Sequence, residues 1–298
     1  MAVKYSICMV NYNMADTLDL SVGSVASQLD ERFEVVLVDD GSDDDSVSIM
    51  NSLALRHPII RVIPLRRDRH RKLGETRNVS VREARGVYCL LHLDCDDVYD
   101  GYIKPWIEVF HQIEESVGAD ILLSGRHIQM AKRNLLLSQG PYMNISRGED
   151  RNMYTRFAAQ GNLWVLDHVD FATRQAKTAS DRFRRALVHT IDTMMTNFRF
   201  GTTVGEFLHS ELRRAKQQSL RLTAFRVTIM PFIWLIANFK PPLRNEGGLK
   251  WNPDFIEYRK AHTGTFEELL HRHGSKPDWS RFSADSRPIF DVKRSLYL

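Results

Sequence analysis

The amino-acid sequence predicts an α/β fold, with a mostly parallel sheet flanked by helices and then a mainly helical C-terminal region. Two observations carry this. Over the first 125 residues, short apolar runs alternate with segments of helical period. Polar and charged residues gather just after those runs, where parallel sheets bind ligands.

Val3–Val10 is apolar and partly β-branched and reads as the first strand. Thr17–Leu29 spaces Leu18, Val22, Val25 and Leu29 along one helical face. Val35–Val38 is a continuous apolar run, as in a strand covered on both faces. Ser46–Arg56 reads as a helix and Ile59–Leu65 as the third strand. Gly74–Arg85 is a helix with Gly86 as its expected C-terminal cap. Val87–Leu93 is the fourth strand. Gly101–Val117 carries Ile103, Trp106, Ile107, Phe110, Ile113 and Val117 on one face, and Ile121–Ser124 is the fifth strand. After Gly125 the alternation stops, and 126–161 reads as polar and mixed. The expected boundary separates an α/β region, 1–172, from a C-terminal region, 173–298.

Composition excludes several classes. Of 298 residues, 43% are hydrophobic and 26% charged, which is a globular and not a disordered composition. A net charge of +4 is too small to point to nucleic acid. Three cysteines, Cys8, Cys89 and Cys95, cannot build a disulfide framework and suggest a reducing compartment. The N-terminus lacks the apolar stretch of a signal peptide. No window holds 18 charge-free apolar residues, so a simple transmembrane helix is not expected. The expected location is cytoplasmic, with a peripheral seat on the inner face of a membrane as the variant reading.

The residues after each apolar run suggest the chemistry. Asn11-Tyr12-Asn13 follows the first, and Asp39-Asp40-Gly41-Ser42, then Asp43–Asp45, follows the second. Arg66, Arg67, Arg69, Arg71 and Lys72 follow the third, and Asp94-Cys95-Asp96-Asp97 the fourth. Three carboxylates within four residues repel one another, unless a cation or water offsets them. Hard divalent ions take oxygen ligands, so Mg²⁺ or Mn²⁺ fits the spacing, and so does a solvated acidic turn. Asp43–Asp45 suit the start of a helix. Asp39 or Asp40 can accept an N–H from a nucleobase. The basic run can hold a pyrophosphate through its guanidinium forks, or stand solvated. Glu149-Asp150 offers a carboxylate to take a proton from a hydroxyl.

Together these residues resemble the inverting family 2 glycosyltransferases of the GT-A fold. The carrying stretches, in order, are Ser6–Asn13; Phe33–Ser42 with its Asp-Asp-Gly-Ser; Leu73-Gly74-Glu75-Thr76-Arg77-Asn78 with Ala84–Tyr88; Leu93-Asp94-Cys95-Asp96-Asp97; and Gly148-Glu149-Asp150 with Arg156. They cover about half the chain. The resemblance implies transfer of one sugar, hexosyl for preference, from a nucleotide-diphosphate donor, UDP most often, with Mn²⁺ or Mg²⁺. It implies that Tyr12 and Asp40 line the base with Asp39 beside it, and that Lys72 and Arg77 lie near the phosphates. Asp94 and Asp96 would bind ribose and metal, and Asp150 would be the base with Glu149 as neighbour. The acceptor would be a glycan or a lipid-linked glycan. His168 and His189 are candidates to complete a metal shell. Gln218-Ser219-Leu220-Arg221-Leu222 departs from the Gln-x-x-Arg-Trp of processive synthases at Leu222, which implies one sugar at a time.

Other classes fit less well. A nucleotidyltransferase or dinucleotide oxidoreductase needs a glycine-rich loop after the first strand, and 11–16 has no glycine. A GT-A domain acting only as a binding module is opposed by the intact acidic pairs. The segment Arg174–Arg226 carries 11 Lys/Arg against 4 Asp/Glu. The apolar Leu222–Phe239 after it reads either as a buried helix pair bent at Pro231 or as an anchor on an anionic membrane.

Overall fold

The computed structural model describes residues 2–140, 142–175, 179–215, 220–244 and 247–292. Gln218 and Ser219, and Lys177 and Lys216 of the basic stretch, lie outside the described residues.

The chain runs β1 (Tyr5–Asn11), α1 (Ala15–Ala26), β2 (Phe33–Asp39), α2 (Ser46–Arg56), β3 (Ile60–Pro64), α3 (Leu73–Glu83), β4 (Tyr88–Leu91), β5 (Asp97–Tyr99), α4 (Ile103–Val117), β6 (Leu122–Ser124), β7 (Gln129–Lys132), α5 (Arg133–Ser138), α6 (Glu149–Ala159), β8 (Leu163–Leu166) and β9 (Ala172–Arg174). Then come α7 (Ala179–Arg199), α8 (Val204–Ala215), α9 (Leu220–Asn238), α10 (Ile256–His262), β10 (Thr263–Gly264), α11 (Phe266–His271) and α12 (Arg287–Phe290).

One eight-stranded sheet has the order β10-β8-β6-β7-β4-β1-β2-β3. Strands β4, β1, β2 and β3 are mutually parallel, and β1 pairs with β2 over seven residues, ending with Asn11 opposite Asp39. The sheet is mixed because β7 runs antiparallel between β4 and β6. Strand periodicity sorts the side chains to its two faces. Tyr5, Ile7, Met9, Val35 and Leu37 join α1, α2, α4 and α11 in one buried cluster. Cys8, Val36 and Val38 join α3, α5 and α6 in another. A two-stranded ribbon, β5 with β9, sets Asp97 directly opposite Arg174.

Four expectations change. The fourth strand stops at Leu91, not Leu93, because His92 takes a positive φ of 65° and turns the chain before the acidic run. Gly86 is no left-handed cap: α3 ends at Glu83 in an extended Ala84. A Cβ on Gly86 would lie 2.8 Å from the Ser6 amide nitrogen, so glycine is required by the close approach to β1. The stretch read as polar and mixed holds β7, α5 and α6. Its strand, Gln129–Lys132, is too short for periodicity to reveal. The tail beyond 172 also returns to the sheet. β10 pairs with β8, and Phe266, Leu269, Leu270 and Phe290 are buried in the first cluster.

The three cysteines are buried and unpaired. Helices α7, α8 and α9 form a further small core around Met194, Phe198, Phe207, Met230, Ile233 and Ala237. Leu220–Asn238 is one helix through Pro231, long and apolar enough by length and composition to cross a membrane.

Candidate active site

The carboxyl ends of β1 and β2 build the first wall. Asp39 is buried and accepts four hydrogen bonds: from Asn11 Nδ2 at 2.8 Å, Ser42 Oγ at 2.6 Å, and the Gly41 and Ser42 amides at 3.0 and 2.9 Å. Its carboxylate shapes the turn. Gly41 needs its φ of 73°, and a Cβ there would lie 2.6 Å from the Arg67 backbone. Asp44 accepts from the Ser46 amide at 3.0 Å at the start of α2 and from Ala15 at 3.0 Å. Asp40 is met by Arg71, through Nε, and by Arg67 Nη1 at 3.5 Å. The Arg67 guanidinium also stands 4.3 Å from the centre of the half-exposed Tyr12 ring. The basic run is therefore not simply solvated: two of its arginines are folded onto Asp40 and Tyr12. Lys72, just before α3, donates its Nζ to the Arg69 carbonyl at 2.6 Å.

Helix α3 is clamped to the loop that leads into α6. Asn78 and Tyr142 exchange two bonds, Nδ2 to the Tyr142 carbonyl at 2.9 Å and Oδ1 from its amide at 2.7 Å. The Lys72 amide donates to Asn144 Oδ1 at 2.8 Å, and the Gly74 amide to Ile145 O at 3.1 Å. A Cβ at Gly74 would sit 1.9 Å from the Met143 carbonyl oxygen and 3.2 Å from Glu149 Cβ. The glycine thus permits the contact that aligns Arg77 with Glu149. Gly74→Ala is expected to destabilise the fold by about 3 kcal/mol, because rigid backbone is what it strikes. Chemical denaturation checks this, and a loss under about 0.5 kcal/mol would show that the clamp yields.

The fourth-strand acids converge. One oxygen from each of Asp94, Asp96 and Asp97 lies within 4.8 Å of the others. Asp97 is fully buried between His127 Nδ1 at 2.9 Å and Arg174 Nε at 2.7 Å. Burial pushes the Asp97 carboxyl up, but these two partners outweigh it and hold it below the usual carboxylate range. The same Arg174 reaches Asp94 Oδ2 at 3.2 Å and Asp96 Oδ1 at 3.4 Å. Three close carboxylates with oxygen donors only are the ligand chemistry of Mg²⁺ or Mn²⁺. Asp94 and Asp96 are the two that could hold such an ion, since Asp97 is engaged in holding the ribbon.

Arg77 joins this cluster to the α6 acids. Its Nε is 3.3 Å from Glu149 Oε1 and its Nη2 3.6 Å from Asp94 Oδ1. The Nε contact is an ion pair without hydrogen-bond geometry. Burial works against the Arg77 charge, yet Glu149 and Asp94 help to hold the guanidinium above its ordinary value. Glu149 is 4% exposed. Desolvation raises its carboxyl to about 7, with Arg77 opposing and Asp150 adding to the rise. Asp150 is less buried and, with Glu149, opens α6, whose N-terminal dipole favours acids. Arg156 points elsewhere, donating to the Gln139 carbonyl.

His168 does not join the acids. Its Nδ1 bonds the Val169 carbonyl at 2.6 Å and its Nε2 accepts the Arg126 amide at 2.9 Å. Burial lowers it to about 4, so it is a neutral core residue. His189 lies on α7, 3.5 Å from Thr193 Oγ1. Sequence reasoning missed Arg174, His127, Tyr142 and Asn144. The Arg174 strand has three residues, and only its ladder with Asp97 gives it a role.

A mixed sheet with acids at the end of its parallel half defines a GT-A-type α/β domain. A solved mannosyltransferase from Pyrobaculum calidifontis, in complex with GDP-Man and Mn²⁺, has this fold, with a TM-score of 0.50, 15% identity, and 95% of this chain and 89% of that one covered. The chain belongs to glycosyl transferase family 2, whose family model matches residues 6–162. It is 26% identical over 163 residues to a cholesterol galactosyltransferase of Borreliella burgdorferi, covering 53% of this chain and 44% of that protein. It is 34% identical over 124 residues to the succinoglycan biosynthesis protein ExoO of Rhizobium meliloti, covering 40% and 34%. The matches span less than half the length of these relatives.

Proposed function

We propose that this chain moves one hexosyl unit from a nucleoside diphosphate donor, a UDP-sugar for preference, to an acceptor hydroxyl with inversion. The observation that carries the reading is Arg77, within 3.6 Å of Asp94 and 3.3 Å of Glu149. One guanidinium spans the acids after β4 and those opening α6, which supports reading the two groups as parts of one site.

In this reading the Tyr12 ring and Asp40, beside Arg67 and Arg71, receive the base, and Asp39 keeps their loop in shape. Asp94 takes the ribose and shares the metal with Asp96. Lys72 and Arg77 supply the positive charge for the diphosphate. Bound Mn²⁺ or Mg²⁺ would supply Lewis-acid neutralisation of the leaving diphosphate. Asp150 takes the acceptor proton as the hydroxyl oxygen bonds to the anomeric carbon on the face opposite the breaking bond, which inverts configuration. Glu149 is less suited, because its carboxyl is pinned against Arg77 and half protonated near neutral pH.

A lipid-linked glycan is the favoured acceptor. A relative from Escherichia coli, 31% identical over 94 residues, is named as transferring from UDP-Glc to a GlcNAc-diphosphoundecaprenol. Buried unpaired cysteines accord with a cytoplasmic setting.

Titration calorimetry of UDP with and without Mn²⁺ tests the donor site. The native chain should bind UDP more tightly with Mn²⁺, and Asp96→Ala should lose most of that gain, about tenfold or more. Affinity that is unchanged and still metal-sensitive in the variant removes Asp96 from the metal site.

A further inference from the structure

Helix α9 is apolar over most of its circumference, and the protein covers only one stripe of it. Thr223, Met230, Ile233 and Ala237 are the buried positions, spaced as one helical face against α7 and α8. The rest stands in the open: Leu220, Phe225, Phe232, Trp234, Leu235 and Phe239 are exposed, Phe232 at 69% and Phe239 at 83%. A run of this size facing water marks an interaction surface.

Charge selects the partner. Between Glu211 and Glu246 the sequence carries seven Lys/Arg and no Asp/Glu. Arg226 is turned inward, 3.5 Å from buried Glu211, and so ties α9 to α8. Arg221 and Lys240 flank the exposed face at its two ends and are themselves exposed. Pairing this face with a second copy about a two-fold axis would bring like charges together. An anionic bilayer surface offers both an apolar interior and negative headgroups.

We propose that the outer face of α9 seats the chain on an anionic membrane surface. The helix lies in the interface and does not cross it, because one stripe is already packed on the bundle. The bundle is in turn fixed to the acceptor side of the cleft. A Cβ on Gly148, next to Glu149-Asp150, would meet Thr196 of α7 at 3.3 Å. Arg151 donates to Asn197 of α7 and stands 3.9 Å from the centre of the Trp251 ring. Seating α9 therefore fixes Asp150 relative to the membrane plane and favours acceptors held in it. That last consequence rests on the sugar-transfer reading; the seating itself does not.

The test is sedimentation of the full chain with vesicles of phosphatidylcholine, with and without phosphatidylglycerol. The chain should pellet with the mixed vesicles and much less with phosphatidylcholine alone. The double variant Phe232→Ser/Phe239→Ser should lower the partition coefficient at least about tenfold, with the melting curve and Mn²⁺-dependent UDP binding retained. Brominated lipid should quench a fluorescence component that Trp234→Phe removes. Binding indifferent to phosphatidylglycerol would overturn the choice of an anionic surface. No binding to either vesicle would overturn the proposal, and a dimer lost in the double variant would then assign the face to a second copy. Vesicle binding without donor hydrolysis would leave the seating intact and count against sugar transfer alone.

Discussion

Asp150→Asn is expected to lower turnover by about 10²–10⁴-fold, the usual contribution of a positioned general base. Asparagine keeps the size and the helix-opening position but cannot take the acceptor proton. Donor affinity should stay within about twofold, because the role proposed for the substituted group is toward the acceptor and not the nucleotide. Single-turnover transfer, measured beside UDP calorimetry on the same preparation, separates the two effects. Near-normal turnover would place the base elsewhere, with Glu149→Gln the next variant to make. Glu149 is the less suited of the two, because it is buried and its carboxylate lies 3.3 Å from Arg77.

Arg77→Met should be the most damaging single change to stability. It leaves the buried Glu149 carboxyl without its cation and Asp94 with one partner fewer. Breaking a buried pair on one side costs about 3–5 kcal/mol, and methionine keeps the stem's packing so that the charge is what is tested. The effect should depend on pH. The folded Glu149 carboxyl is raised to about 7, above its unfolded value. Such a group contributes stability that is fully present below its unfolded pKa and is lost as pH rises through the folded one. Without Arg77 the folded value rises further, so the variant should be hurt least near pH 5 and most near pH 8. The double variant Arg77→Met/Glu149→Gln should recover part of the loss at pH 8, where the lone carboxylate is the penalty. Denaturation at both pH values measures this. A loss equal at pH 5 and pH 8 would mean that Arg77 acts through packing.

Apart from the three-residue β5, the order of strands and helices through Ser124 was legible because each apolar run has a period that local sterics and burial impose. The Asp-Asp-Gly-Ser turn was legible for a related reason: Gly41 requires positive φ, and Asp39 bonds amides only two and three residues away. Gly74-x-x-Arg77-Asn78 was visible as a pattern, but its reason was not. That reason is a carbonyl at Met143, about seventy residues away in the chain. The three-residue strand β9 and the two-residue β10 carry too few side chains for any period.

The sequence by itself determined the α/β alternation, the acids after β4 and those opening α6, since repeating burial and charge at element ends are local signals. Tertiary structure alone decided that Arg77 joins the two acidic groups, that Arg174 and His127 take up Asp97, that His168 belongs to the core, and that most of α9 faces outward. Each of these depends on which distant surfaces meet, and that is set by the packing of whole elements against one another and not by the residues beside each side chain.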